Sequence, residues 1–438
     1  LGSGGGRNWL KKDEIVSDSF AYSAQQSADE ASNADVQCEA ETPVISGEWS
    51  IETLKSLADI RRNAFRWIAL EEHSKDPQAV FQGFAWCEAW AETYCKPQDS
   101  SCEPRIFFIS RGETLVAILP MMLETHMGAK VLTLFGEPHS QLANALIHSE
   151  IDSGDGLTLC LAQAALLAGA DVMALGPIPE DSPVLASADR KFISTDPAES
   201  ISICRWPDGE TVDGHLKTLT RNTRKNFYRR QRRMEEEGSL QFQQFTPLDS
   251  EFKSLVQKSL DWKRDWLERS GAFSLGLSMS GVDAFLSGFS GRDTVFKPVL
   301  DVLFVDDEPI SISINIVGHG IVHCYLSAHN HEFSDLSPGT LATHIAIHNG
   351  IETGESGYSF LGFPTQFKSI WTNESVQLLR YHHALTLRGK IWLQLWTRGL
   401  RPVAKRILTY ARSAAHKPVL GKVLNGFLNL LSKRRGKR

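Results

Sequence analysis

The chain has 438 residues, 42% hydrophobic and 22% charged, with a formal net charge of -6. This is ordinary globular composition with length for more than one core. Seven scattered cysteines without a C-x-x-C pair, and 14 histidines without an H-E-x-x-H pattern, argue against a disulfide framework, a zinc site or another metal centre, and fit a reducing, cytoplasmic compartment.

Residues 1–47 are rich in Ser, Ala, Asp, Glu and Gln and are expected to be disordered. A helical pattern follows at Ile51–Ile60, then a second helix at Phe84–Tyr94 with Trp86 and Trp90 on one face. Arg105–Ser110 and Thr114–Leu123 read as a hairpin around Arg111-Gly112-Glu113. Lys130–Phe135 is a strand, Leu157–Ala168 an amphipathic helix, and Asp171–Leu175 a strand ending in Gly176-Pro177. Asp181–Ser200 is a polar connection.

The second half opens with a strand at Ile201–Arg205 and one long helix from Val212 to Glu237, stopped by Gly238. Leu240–Phe245 is a strand, and Glu251–Arg269 a helix with Trp262 and Trp266 on one face. Val295–Val305 and Pro309–Val317 form a hairpin, and Ile321–Ala328 is the next strand. A helix then runs from Ser337 to about Thr353, followed by strands at Tyr358–Leu361 and Gln377–Leu387. The order hints at two copies of one α/β plan.

Ser337-Pro338-Gly339-Thr340 is the first chemical candidate. Ser337 suits a cap, Pro338 the first helical position, and Gly339 lets a ligand approach the backbone. A strand feeding such a helix start is a phosphate-binding device, although a capped helix that binds nothing has the same sequence. The helix around Arg221, Arg224 and Lys225 carries many cations and no acid until Glu235, which suits an anionic acceptor or a solvated face. Lys368 follows a Gly362–Gln366 turn and suits a developing oxyanion or a phosphate. His329 and Asp335 stand among the candidates for a general base.

No apolar run reaches the ~18 residues of a membrane span. After Glu374 there is no Asp or Glu, while Lys and Arg recur to Arg438. A basic amphipathic tail of this kind suits an anionic membrane surface, or a helix packed on its own domain.

These segments together resemble the GNAT superfamily, in the BioF2-like or CelD-type branch related to the Fem aminoacyl transferases. Leu219-Thr-Arg-Asn-Thr-Arg-Lys-Asn226 through Gly238 resembles that branch's arginine-rich opening helix. Ser337-Pro-Gly-Thr-Leu341 resembles its helix start, Gly362 with Phe367-Lys368 and Trp371 its ending, and Ala117-Ile-Leu-Pro120 a strand end of its first half. The resemblance implies an α/β fold of tandem GNAT-like halves, each a mixed central sheet flanked by helices, at 48–200 and 201–396, with a helical basic tail at 397–438.

It also implies an acyltransferase that moves an acyl group, such as acetyl, from acyl-CoA directly to an amine or hydroxyl. The acceptor would be a small molecule or a glycan in envelope or exopolysaccharide synthesis. The donor is expected at Leu336, Ser337, Pro338, Gly339, Thr340 and Leu341, with Lys368, His329 and Asp335 in catalysis and Arg221, Arg224 and Lys225 toward the acceptor. Two other readings stay open: a silent scaffold docked on a polysaccharide synthase, and an aminoacyl-tRNA-dependent transferase. The chain departs from the branch pattern at Ser359, where an Asp is usual, and at Phe367, where a Tyr is usual.

Overall fold

A computed structural model of the chain describes residues 44–46, 48–96, 102–151, 154–186, 193–194, 199–362 and 365–396. The tail from 397 and most of the segment expected to be disordered lie outside the described residues. Val44–Ser46, inside that segment, is strand β1. It pairs with β2 (Trp49–Leu54), and α1 (Leu57–Arg62), α2 (Ala64–Ser74) and α3 (Phe84–Tyr94) follow. Next come β3 (Cys102–Arg111), β4 (Thr114–His126), β5 (Ala129–Leu134), β6 (Leu146–Ile147), α4 (Gly154–Leu167), β7 (Val172–Pro179), α5 (Pro183–Ala186) and β8 (Ile193–Ser194).

The chain continues through β9 (Glu199–Arg205), α6 (Val212–Thr218), α7 (Arg221–Glu235), β10 (Leu240–Phe245), α8 (Phe252–Ser270) and α9 (Val282–Ser287). β11 (Lys297–Val305), β12 (Glu308–Gly318) and β13 (Ile321–His329) form a meander. α10 (Pro338–Glu352), β14 (Gly357–Ser359), β15 (Glu374–Ala384) and α11 (Leu387–Gln394) complete the order.

Two sequence expectations fail locally. The helix expected at Ile51–Ile60 is a strand followed by a helix. Ile51 and Leu54 pair with Ile109 and Ile106 of β3, so the sheet supplies the backbone partners that a helix would have supplied itself. Ser56 then caps α1 by accepting the Asp59 N–H. The long helix expected from Val212 to Glu237 breaks at Leu219-Thr220. Thr220 is extended at φ -61° and ψ 152°, and its hydroxyl accepts the Thr223 N–H, so it starts a new helix.

The described strands join one mixed sheet in the order β1-β2-β3-β4-β5-β7-β15-β9-β14-β13-β12-β11-β10, with β6 paired to β4 and β8 to β15 beside this path. The order contains one pattern twice. β2, β3, β4 and β5 are antiparallel neighbours, then β5 runs parallel to β7, and β15 closes antiparallel on β7. β10, β11, β12 and β13 repeat this, with β13 parallel to β14 and β9 antiparallel to β14. The closing strands are exchanged: β15 comes from the far end of the chain to serve the first set, while β9 serves the second. β9 and β15 also pair with each other, which welds the sets at the centre.

Helices cover both faces. Trp67, Trp86, Trp90 and Phe285 join Leu300, Ile312 and Ile314 in one core that spans both sets. α4 covers a second core over the first set. α6, α7 and α10 cover a third over the second set, through Leu216, Phe227, Met234, Leu341 and Ile347. Burial of these large apolar side chains, at about 1.5–3 kcal/mol each, holds the layers together.

Candidate active site

Each parallel pair is only three residues wide. In the second set Ile321, Val322 and His323 face Gly357, Tyr358 and Ser359, and β13 then runs on alone to His329. The strands splay there, so backbone groups of β13 that a full sheet would use are left to other partners. Gln141 Nε2, from the first half, donates to the Tyr325 carbonyl at 3.4 Å, and Lys263 Nζ, from α8, donates to the Ser327 carbonyl at 3.1 Å. The β12–β13 register shifts between Ile314↔Leu326 and Asn315↔Cys324, so Tyr325 is an extra, bulged residue of β13 at this gap.

A cavity of about 950 Å³ opens at this gap. Its wall takes Cys324 to His329 from β13, Ser337, Gly339 and Thr340 from the helix start, and Phe367 and Lys368 beyond β14. Trp262, Lys263, Trp266 and Arg269 of α8 form another side. The first half supplies Glu137, Gln141 and Pro177, and the closing strands supply Glu199 and Arg380. Arg380 bridges the two carboxylates, at 2.5 Å from Glu137 and 4.0 Å from Glu199.

Two lysines dominate the opposite side. Lys368 Nζ donates to the Leu361 carbonyl, and Lys263 sits 4.8 Å from the Trp266 ring centroid. Neither meets a carboxylate among the described residues. Burial holds both ammonium groups below the ordinary lysine range, against a smaller opposing effect of Cys324. A partly desolvated cation without a counter-charge is costly, and a pair of them makes the cavity ready for an anion.

Of the residues expected from sequence, Lys368, His329, Ser337, Gly339 and Thr340 line this cavity together. Burial, and then Lys263 and Arg269, push the His329 imidazole below its ordinary value, so it stands neutral with a nitrogen free to accept a proton. Leu336 packs beside the third core, while Pro338 and Leu341 are buried in the helix's inner face and do not line the cavity. Asp335 lies exposed on the turn before α10, outside the cavity wall. Arg221 and Lys225 are exposed on α7, and Arg224 donates to the Leu216 and Lys217 carbonyls, so this trio lies away from the cavity.

The helix start differs from expectation in one respect. Ser337 does not cap α10 with its side chain, because its backbone is left-handed at φ 58° and ψ 54°. Its carbonyl instead accepts the Thr340 and Leu341 N–H groups. Pro338 has no N–H, so Gly339 carries the first-turn donor left over for a ligand.

The sequence reading missed Lys263, Gln141, Glu137 and Arg380. The signal for Lys263 was present, since Trp262 and Trp266 bracket it on one face of a predicted helix. Ser359, at the position where the family pattern has Asp, is fully buried, and its hydroxyl has no partner among the described residues. Phe367 is 42% exposed and meets the Trp371 ring edge-on at 4.7 Å.

Behind β13 lies a buried polar layer. Asp301 accepts from Gln244 Nε2 at 2.8 Å and Asn315 Nδ2 at 2.7 Å. Burial raises the Asp301 carboxyl to about 6 despite these two bonds. The folded value stands above the unfolded one, so the native state holds the proton to higher pH. The stability this contributes is complete below about pH 4 and is lost as pH rises through about 6. Asp301→Asn is therefore expected to stabilise the protein above pH 7 by on the order of 3 kcal/mol. Its amide can serve Gln244 and the unpaired Asn315 Oδ1 once the Asn315 amide is turned. Glu71, raised by burial to about 7, acts with the same sign, so the test is the difference between parent and variant. Urea unfolding from pH 4 to 8 should give diverging curves; parallel curves would remove Asp301 as the cause.

Comparison with known proteins agrees with this architecture. Residues 221–369 match the family profile "Acetyltransferase (GNAT) domain". In structure the chain is similar to FemX, with a TM-score of 0.53 at 12% identity, over 76% of this chain and 98% of that one. It is also similar to the C-terminal domain of a putative lysylphosphatidylglycerol synthetase from Agrobacterium fabrum, with a TM-score of 0.48 at 13% identity, over 79% and 99%. A tandem GNAT protein from the clavulanic acid biosynthesis pathway follows, with a TM-score of 0.41 at 11% identity, over 77% and 98%. No curated protein matches the sequence. Residues 221–369, which hold the splayed-strand site, thus form a GNAT-type acetyltransferase domain, and the chain around them shares the fold of FemX.

Proposed function

We propose that the second half binds an acyl-CoA and passes its acyl group to an amine or hydroxyl acceptor held against the first half. One observation carries this reading: Lys263 and Lys368, both without a carboxylate among the described residues, face one cavity that adjoins the half-buried N-terminus of α10. Ser337, Gly339 and Thr340 would receive the diphosphate, with the Gly339 N–H and the positive helix end as the attractive groups. The thioester would lie in the gap of β13, where its amide-bearing arm competes with Gln141 and Lys263 for the Tyr325 and Ser327 carbonyls.

The chemistry is a direct displacement. The acceptor's lone pair attacks the thioester carbon, and the carbonyl oxygen becomes an oxyanion. Collapse of that intermediate expels the CoA thiolate, and the acceptor loses one proton. Lys368 would meet the oxyanion, where a cation in a site of low dielectric acts most strongly. His329 would take the proton through its ring nitrogen. Asp335, exposed on the turn, would act through its charge on the way into the cavity. Arg221, Arg224 and Lys225 would form an outer cationic surface for an anionic acceptor. Glycan acceptors fit the Trp262 and Trp266 faces with Glu137 and Glu199 for hydroxyl or amine groups.

Calorimetric titration of the full chain with acetyl-CoA, and then longer acyl-CoAs, tests the donor. Saturable binding followed by CoA release with a panel of amines and sugars supports the reading. Transfer that requires aminoacyl-tRNA would replace the donor, and the exposed cations of α7 would then hold its phosphates. Binding without turnover on any acceptor would leave a donor-binding scaffold.

A further inference from the structure

At the end of the first set opposite the cavity, three elements converge on Asp171. Its carboxylate accepts from Thr386 Oγ1 at 2.6 Å and from the Lys130 N–H at 3.0 Å, and its carbonyl from the Leu385 N–H at 2.9 Å. Gly389 lies directly against that carbonyl, where any side chain would collide. The β4–β5 turn, the last turn of α4 and the start of α11 are thereby held side by side.

This junction leaves apolar side chains in water. Leu387 is 74% exposed, Ile391 55% and Leu395 56%, and their i, i+4, i+8 spacing puts them on one face of α11 and its helical C-cap. Met127, at the tip of the β4–β5 turn, is 54% exposed, and Leu166, at the end of α4, is 68% exposed. The inner face of α11 is satisfied, since Trp392 and Leu393 pack on Val131 and Val172. The outer face has no protein partner among the described residues.

Cations are interleaved with these side chains. Lys130, Arg388 and Lys390 are exposed. Arg388 reaches Asp171 at 3.9 Å, while Lys130 and Lys390 have no ion pair among the described residues. The chain leaves α11 into a sequence with no Asp or Glu, where Arg398, Arg401, Lys405 and Arg406 come first. Trp396 stacks on Trp392 at 5.8 Å on the rim of this face, the place that amphipathic rings take at a headgroup boundary.

We propose that this end of the sheet is a docking surface for an anionic lipid bilayer. A nucleic acid would use the cations and leave the aliphatic row in water. A bilayer takes both, because the aliphatic chains enter the acyl boundary while the lysines and arginines stay at the anionic headgroups. Among the described residues no helix is long and apolar enough to cross a membrane. β5 and β7 begin at the docked end and run toward the cavity wall at Glu137 and Pro177. The cavity is thus held roughly 20 Å from the lipid, the span of a six-residue strand. Docking itself is independent of the acyl-CoA reading.

The test is co-sedimentation of the full chain with vesicles of phosphatidylcholine and phosphatidylglycerol, at roughly three to one, against phosphatidylcholine alone. Binding to the mixed vesicles alone is expected. The triple substitution Leu387→Ser, Ile391→Ser and Leu395→Ser should weaken partitioning roughly tenfold or more. Lys130→Glu with Lys390→Glu should weaken it as well and flatten its salt dependence. Both variants should keep the parent's circular dichroism and acyl-CoA affinity, so loss of donor binding alone would not touch the docking proposal. Equal binding to neutral vesicles, no vesicle binding, or variants that partition like the parent would each overturn it. So would a parent dimer that the triple variant abolishes, which would assign the face to a second copy of the chain.

Discussion

Lys368→Ala is expected to lower kcat roughly 100- to 1,000-fold while changing acyl-CoA affinity far less. The loss follows from where the charge acts. In the resting enzyme the ammonium meets the Leu361 carbonyl and, among the described residues, no carboxylate, so its electrostatic stabilisation is unspent until an oxyanion forms nearby. Uniform binding of donor and transition state would show in affinity; an interaction made with the oxyanion shows in kcat. The substitution also strips a donor from a buried carbonyl, a stability cost of about 1–3 kcal/mol. Lys368→Arg separates the two effects, because it keeps both donor and charge. It should restore stability fully and kcat in part. Because burial lowers the Lys368 pKa, the parent's rate should fall on the alkaline side as the ammonium deprotonates, and Lys368→Arg should move that limb upward. A kcat within about threefold of the parent in Lys368→Ala would end the assignment.

The meander β11-β12-β13 was legible because its signals are local. Alternating apolar residues flank Asp306-Asp307-Glu308 and then Gly318-His319-Gly320, and the pairing Val305↔Glu308 and Gly318↔Ile321 follows from those turns. The helix start at Pro338 was legible for the same reason. Ile51–Leu54 was misread because its apolar residues Ile51 and Leu54 are three apart, a helical spacing, and only pairing with β3 makes them a strand. The Thr220 break was hidden by continuous helical spacing on both sides of it.

The cavity was half legible. His329, Gly339 and Lys368 lie within about forty residues of one another, just before, in and after one helix start and its following strand. Gln141, Lys263 and Arg380 come from three distant segments, and nothing in local spacing announces that the exchange of β9 and β15 brings them to one gap. What a sequence encodes least visibly is a site whose walls are assembled by topology.

Gly339→Glu is expected to remove measurable acyl-CoA binding, a loss of roughly 100-fold or more, with the fold intact. Gly339 sits at the second helical position with its N–H free and its surface in the cavity wall. A Cβ there would meet His329 Nδ1 at 3.4 Å, ordinary contact, so the backbone accepts a side chain. Gly339→Ala should therefore fold at least as well as the parent, with a gain of up to about 1 kcal/mol from helix propensity, and bind the donor only moderately less well. A glutamate carboxylate at this position satisfies the helix end and faces Lys263 and Lys368. It would occupy the anion site from within, so the same interaction that stabilises the variant excludes the diphosphate. The signature is a raised or unchanged unfolding midpoint together with lost affinity, which a merely disruptive mutation would not give. Calorimetric titration showing acetyl-CoA affinity equal to the parent's would place the donor elsewhere on the molecule, and the acid-free tail and α7 cations would then be the surfaces to examine.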